Sequence, residues 1–315
     1  MEIREIRRPS FIWLDIVNPL AADLQKVGLD YKLDLTTIND CLEPEHLPKF
    51  EVIDNTTFII LRAYDFESNK KSDKIQTVTN KVAMFFSNEF IITVHRQEQI
   101  YIKEIFEKLK SDQPDKIVST HALANDIIYK VAKTYEHAVN DVYQAFESFE
   151  QDVFNKHKKV KLVTSYMLKR RIDIVRRVLT MMKDPLLGLT NSAHGKMKIE
   201  YKDTKEYFDK LIYQMDVVHD NLVALLSLQL SIASQVTNEA SRKANEVMRV
   251  LTLFSVFFLP INFIASLYGM NFESMPFLKG NHGFWWIIAL MVVLTTTIFI
   301  WFFKKGFFST SHRES

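Results

Sequence analysis

Two charge-free stretches near the C-terminus constrain this chain more than anything else in it. From Val250 to Phe272 run 23 residues without an Asp, Glu, Lys or Arg, VLTLFSVFFLPINFIASLYGMNF. From Gly280 to Phe303 run 24 more, with an apolar core over Phe284–Phe303. A helix needs about 20 apolar residues to cross the hydrocarbon of a bilayer, so each stretch predicts a membrane span. Trp285 and Trp286 at one end of the second stretch and Trp301 at the other stand where an interfacial aromatic belt belongs. Arg242, Lys243 and Arg249 precede the first span and Lys304, Lys305 and Arg313 follow the second, whereas the connecting loop Gly269–Gly283 offers only Lys279. The positive-inside bias then predicts cytoplasmic N- and C-termini with a short loop outside. No signal peptide is expected, because Asp15 interrupts the apolar Phe11–Val17 and no small-residue cleavage site follows. The mean hydropathy of −0.06 is thus an average over unlike parts.

The remainder reads as a charged body. With 40 Lys+Arg against 38 Asp+Glu the net charge is +2, which gives no electrostatic reason to expect nucleic acid as a partner. One cysteine, Cys41, excludes an intramolecular disulfide framework and any multi-cysteine zinc site. Up to residue 118 the chain alternates short elements. Phe11–Ile16, Thr57–Arg62, Val78–Phe86 and Phe90–Val94 are β-branched and aromatic runs that predict strands, and Ala21–Leu29 and Gln99–Lys110 have helical spacing. From Ser119 to Lys183 there is no Gly or Pro, which predicts one long helix, followed by a loop to about Asp203. A second long helix is expected from Thr204. Its apolar positions Leu211, Met215, Val218, Leu222, Leu225, Ile232 and Val236 mark a heptad seam, and nothing breaks the run before Pro260. The expected divisions are a cytoplasmic α/β domain over 1–118, a long-helix stalk over 119–246, a transmembrane hairpin over 247–303 and a cytoplasmic tail over 304–315. The segment Lys156–Lys183 carries ten Lys/Arg with Asp173 as its one acid, which predicts a solvated basic face or one that meets anionic headgroups.

The chemistry of the chain lies in its first span. There is no P-loop, HExxH, GxSxG or dinucleotide glycine pattern, so an enzyme is not expected and no cofactor is implied. Glu43 and Glu45 flank Pro44 and shape a turn. Thr252, Ser255, Asn262 and Ser266 fall on one helical face, and Asn245 and Met248 continue the stripe upstream. A polar stripe inside a membrane packs on another helix or lines water. Two spans cannot enclose a channel, but a symmetric ring of chains can, with the first span facing the axis and the apolar second span facing lipid.

At the end of that helix stand Tyr268-Gly269-Met270-Asn271 and then Phe272-Glu273-Ser274-Met275-Pro276; upstream stands Asn245-Glu246-Val247-Met248-Arg249-Val250-Leu251-Thr252. Together they closely resemble the CorA family of divalent-cation channels, and Asp40–Glu51, DCLEPEHLPKFE, is similar to its α/β domain. The resemblance implies a funnel-shaped homopentamer in the cell inner membrane: an α/β N-terminal cytoplasmic domain, a long helical stalk and two C-terminal transmembrane helices. It implies a selectivity mouth at Gly269, Met270 and Asn271, and pore positions at Asn245, Met248, Leu251, Leu259, Asn262 and Ser266. On polarity alone Thr252 and Ser255 also belong to the lining; Leu251 and Thr252 differ by about 100° around the helix and cannot face the axis equally. The partners implied are further copies of the chain, the lipid bilayer and divalent cations, with Mg²⁺ as cargo and Co²⁺ and Ni²⁺ as further candidates.

Two departures from the family pattern stand out. Met275-Pro276-Phe277-Leu278 has Phe277 where many relatives carry an acid, leaving Glu273 as the one loop carboxylate. Relatives close when Mg²⁺ binds paired carboxylates between subunits. Asp23 resembles one partner, but Ser234 stands where the helix acid is expected, with Asp220 and Glu239 on other turns. The alternatives are a zinc transporter of the same superfamily, ZntB-like, and, in a different class, a membrane-anchored sensor that does not conduct.

Overall fold

The structure, a computed structural model, describes residues 2–68, 74–111, 119–155, 162–270 and 282–305. It divides into two compact units, Met1–Gln229 and Leu230–Ser315.

The first unit is built on one six-stranded sheet. Its strands are β1 (Glu2–Arg7), β2 (Ile12–Val17), β3 (Lys49–Ile53), β4 (Thr56–Tyr64), β5 (Thr79–Phe86) and β6 (Phe90–His95), in the order β1-β2-β6-β5-β4-β3. Every neighbouring pair is antiparallel except β2 and β6. The inner strands are buried on both faces, which explains why they read as continuous apolar runs. Side chains alternate across a strand, so β4 sends Phe58 and Ile60 into one core and Ile59 and Leu61 into the other. The first core is closed by α1 (Ala21–Asp30) and α2 (Leu35–Leu42) through Leu24, Val27 and Ile38. The second is closed by α4 (Ile100–Lys110) and α5 (Thr120–Phe154) through Ile102, Phe106, Ile127, Val131 and Tyr135, while the one-turn α3 (Ile75–Val78) leads into β5. Asp34 caps α2 by accepting the Thr36 and Thr37 amides at 2.8 and 3.3 Å, and Ser119 caps α5 at the Ala122 amide.

The single long helix expected over 119–183 is instead two helices. α5 ends at Phe154, capped by Asn155, and α6 (Leu162–Met181) packs back on it, with Arg171 bonded to Asp141 at 3.0 Å. The loop expected up to Asp203 is mostly helix. α7 (Lys183–Ser192) starts two residues before Pro185, in the first turn where the missing N–H has no helical acceptor to lose. α7 also covers the β3 edge: Phe50 lies against Gly188, where an added Cβ would come within 2.4 Å of its ring. α8 (Gly195–Tyr268) begins nine residues before Thr204 and runs 74 residues through Pro260, and α9 (Gly283–Lys304) follows. Ion pairs engage part of the basic segment, one within α6 and two reaching other helices. Lys169 pairs with Asp173 at 2.7 Å, Arg171 with Asp141 on α5 and Arg176 with Asp216 on α8. Lys156, Lys158, Lys159 and Lys161 lie outside the described residues.

Along α8 the seam changes character. Leu211, Met215, Val218, Leu222 and Leu225 are buried, none more than 6% exposed, whereas Ile232 and Val236 are 45% and 61% exposed.

Candidate pore helix and its outer turn

Among the described residues, α8, in its last third, and α9 are the helices long and apolar enough to cross a membrane. On α8 the expected lining positions Asn245, Met248, Leu251, Thr252, Leu259, Asn262 and Ser266 are exposed and Ser255 is half-buried. Large apolar groups among them, such as Met248, Leu251 and Leu259, are more than 60% exposed in the single chain. The hydroxyls of this stripe differ from its amide. Thr252 Oγ1 donates to the Met248 carbonyl at 2.8 Å and Ser255 Oγ to the Leu251 carbonyl at 2.9 Å, so both are satisfied by their own helix. The Asn262 side chain has no hydrogen-bond partner among the described residues. Two residues earlier, Pro260 has no N–H to give the Val256 carbonyl, which loses its helical donor.

The helix ends on a turn at Gly269. Its amide donates to the Ala265 carbonyl at 2.9 Å and to the Ser266 carbonyl at 3.2 Å. A Cβ there would meet the Ala265 oxygen at 3.2 Å, tighter than an ordinary contact, so glycine lets the chain close over the last carbonyls. Met270 is described and exposed; Asn271 and Glu273 lie outside the described residues. On the second span Thr295, Thr296 and Thr297 each donate to the carbonyl four residues back at 2.7 Å, and Phe302 packs near Phe257 of the first.

In the first unit, the Asp40–Glu51 stretch is held by three cations from the sheet and its edge. Lys81 Nζ donates to the carbonyls of Asp40 and Cys41 at 2.7 Å and to that of Glu43. Arg62, 1% exposed, donates to the carbonyls of Pro44 and His46 at 2.8 and 2.7 Å, and Arg96 to that of Leu42. Burial pushes the Lys81 ammonium down to about 8, with the nearby guanidiniums of Arg62 and Arg96 acting in the same direction. Sequence reasoning missed this cradle, because its cations lie 16 to 54 positions from the carbonyls they serve. Asp23 lies half-buried in the first turn of α1, and Asp220 and Glu239 are exposed on α8. Among the described residues no three His, Cys, Asp or Glu side chains converge as a metal site.

A match to the family model described as CorA-like Mg²⁺ transporter protein covers residues 9–305. The cobalt/magnesium transport protein CorA of Thermotoga maritima is 24% identical over 93% of this chain and 82% of its own length. That of Methanocaldococcus jannaschii is 23% identical over 93% of this chain and 90% of its own. The complete structure of the M. jannaschii CorA magnesium transporter superposes with a TM-score of 0.63 at 19% identity, covering 97% of this chain and 94% of that one. This chain therefore belongs to the CorA-like Mg²⁺ transporter family.

Proposed function

We propose that the chain is the subunit of a funnel-shaped homopentameric channel that admits Mg²⁺ through the cell inner membrane, both termini on the cytoplasmic side. In this reading residues 1–118 form the cytoplasmic α/β domain, 119–246 the stalk, 247–303 the membrane hairpin and 304–315 the tail. The observation that carries it is Asn262: an exposed amide in mid-span, without a hydrogen-bond partner among the described residues, on the same face as Ser255 and Ser266. Inside hydrocarbon such a group needs a polar partner, and a water-filled axis shared by several copies supplies one.

The physics suits a hydrated divalent ion. Mg²⁺ sheds water reluctantly, and a ring of Asn271 carbonyls can accept hydrogen bonds from its water shell without removing it. Gly269 and Met270 hold that ring at the outer turn, and Glu273 adds the one loop carboxylate. Below it, rings of Met248, Leu251 and Leu259 form apolar constrictions that gate by dewetting, with Thr252 and Ser255 beside them. No ATP is required. About 2.3 kcal/mol per elementary charge per 100 mV makes inward movement of a divalent ion worth roughly 4.6 kcal/mol. Co²⁺ and Ni²⁺, of similar charge and size, follow the same route. Asp23 is the candidate regulatory ligand, with no helix acid at Ser234 to complete a pair.

Uptake into proteoliposomes by wild type and Asn271→Ala tests the reading. Wild type takes up Mg²⁺ under an inside-negative potential, and the variant loses uptake or its preference for Mg²⁺. Equal Mg²⁺ uptake by both removes the selectivity mouth. Zn²⁺ uptake driven by a proton gradient selects the zinc transporter instead, and no flux of any ion selects the sensor.

A further inference from the structure

The first span carries a groove and a large aromatic side chain on opposite flanks of one helix. Ser255, Asn262 and Ser266 mark the face proposed to turn to the axis. The half-buried Leu253, Phe257 and Ile264 mark the opposite face, where the Phe257 ring lies 6.4 Å from that of Phe302 on α9. Two flanks run between these faces. On one, Phe254, Phe258, Ile261 and Ala265 follow at steps of four, three and four, and with Asn262 they line a groove of about 520 Å³. The rings of Phe254 and Phe258 stack 5.9 Å apart along its wall, and Ala265 is the smallest of the lining side chains. On the other flank stands Phe263, 67% exposed. It follows Asn262 by about 100° around the helix, whereas Ala265 lies about 60° to the other side, so Phe263 cannot reach the groove of its own chain.

A second copy can bring the two together. Copies related by rotation about an axis along the membrane normal hold the same residue at the same depth. Each presents one flank to the copy before it and the other flank to the copy after it, which is a heterologous contact that closes a ring. Phe263 and Ala265 differ in depth by about 3 Å, within the reach of a phenyl ring.

The lining also decides what fills the groove. Lipid tails would cover its phenyl rings equally well, but they leave the Asn262 amide at its edge bare, and an unsatisfied polar group is costly in hydrocarbon. A neighbouring pore helix covers the apolar wall and keeps that amide on the water of the axis. A small residue where two spans meet lets their backbones approach, and Ala265 supplies it.

We propose that Phe263 of one copy seats in the Phe258–Ala265 groove of the next, a joint repeated around the ring. The joint rests on the reading of the chain as a ring-forming channel subunit and adds which flanks close that ring. Each copy gives one phenyl ring and receives one, so neither flank is left over.

Phe263→Cys and Ala265→Cys placed in one chain test the joint by mild oxidation of the full chain in lipid vesicles, with free thiols blocked before denaturation. Residues two apart on a helix do not face each other, so the pair cannot close within a chain, and the native Cys41 is buried. The double variant is expected to give a ladder of covalent species beyond the dimer. Either single variant stays monomeric, because each position meets the other and not itself. A lysine-directed cross-linker on the same vesicles reports the ring whichever flanks meet. Multimers with that reagent but monomer from the cysteine pair overturn the joint and leave the ring standing; no multimers with either remove both. Dimers from Phe263→Cys alone put two equal flanks together and also overturn it. Should the cysteine variants fail to insert, a benzophenone side chain in place of Phe263 reads the same contact. After illumination, adducts within Phe258–Ala265 of a second chain support the joint, and adducts to lipid or to α9 overturn it.

Discussion

The two units of the chain bury their apolar groups by different means, and one helix displays both. In Tyr201–Leu225 of α8 one face, with Phe208, Leu211, Met215, Leu222 and Leu225, is buried in the core it shares with α5 and α6 of the same chain. In Met248–Leu267 of the same helix they are open, with Met248, Leu251, Phe258, Leu259 and Phe263 all more than 60% exposed. Periodic apolar residues thus state that a helix face will be covered, and only the chain around it decides by what. For the first stretch the cover is internal; for the second the proposed cover is lipid and further copies.

The sharpest way to break this contrast is to make the same truncation in both stretches. Leu222→Ala empties a fully buried position and is expected to cost about 2–5 kcal/mol of stability in the first unit. Leu259→Ala removes the same atoms from a 65% exposed position. It is expected to shift unfolding of the first unit by less than about 0.5 kcal/mol while raising Mg²⁺ leak through a wider constriction. Thermal unfolding and vesicle flux measured on both variants separate the outcomes. A large melting shift for Leu259→Ala would mean that its stretch also supports the first unit.

Next in size is the contact that closes the β3 edge. Gly188→Val places branched carbons where Phe50 already lies within 2.4 Å of an ideal Cβ, and is expected to cost about 1–3 kcal/mol. The pair Gly188→Val with Phe50→Ala should recover part of that loss if the ring is the obstacle. Simple additivity of the two costs would place the strain elsewhere.

Much of this architecture was legible in the sequence, for identifiable reasons. Strands β2, β4, β5 and β6 are apolar on both faces, so their runs stand out against polar neighbours. β1 was missed because an edge strand alternates Glu and Arg with isoleucine, and β3 because its charges, Lys49 and Glu51, dilute a five-residue run. The α5–α6 break leaves no mark in the sequence, because Asn155 and the lysines after it supply neither Gly nor Pro. Pro185 misled in the opposite sense, since a proline can open a helix as well as end one. In the first span the stripe could be read from spacing alone, because a helix fixes which residues share a face. The cradle around Asp40–Glu51 could not, since its order depends on sheet register.

A smaller effect comes from Lys81, whose charge the cradle holds out of water. Its folded value, about 8, lies below the ordinary 10.5, so between these the unfolded chain binds the extra proton. Stability of the first unit is therefore expected to rise from pH 8 to 10.5, on the order of 1 kcal/mol once solvent screening of a partly exposed group is discounted. Below pH 8 this contribution is flat. Lys81→Met, whatever its absolute stability, should lack the rise, and a thermal-unfolding series across that range checks it. An equal rise in the variant would assign the effect to other groups.

The smallest expected effect belongs to the ion pairs made along the basic face of α6. Arg176 and Asp216 join α6 to α8, but both side chains are about 40% exposed. Water and salt screen such a pair, and ordering two side chains offsets much of the attraction. Arg176→Gln is expected to cost about 0.2–1 kcal/mol at low salt and less in 1 M salt. Asp216→Asn should cost a similar amount, and the double variant no more than either alone, because each single change already breaks the pair. A loss of several kcal/mol that persists in high salt would show that this contact is buried in the assembled protein. It would then move this stretch of α8 from the internally covered region to the one covered by other copies.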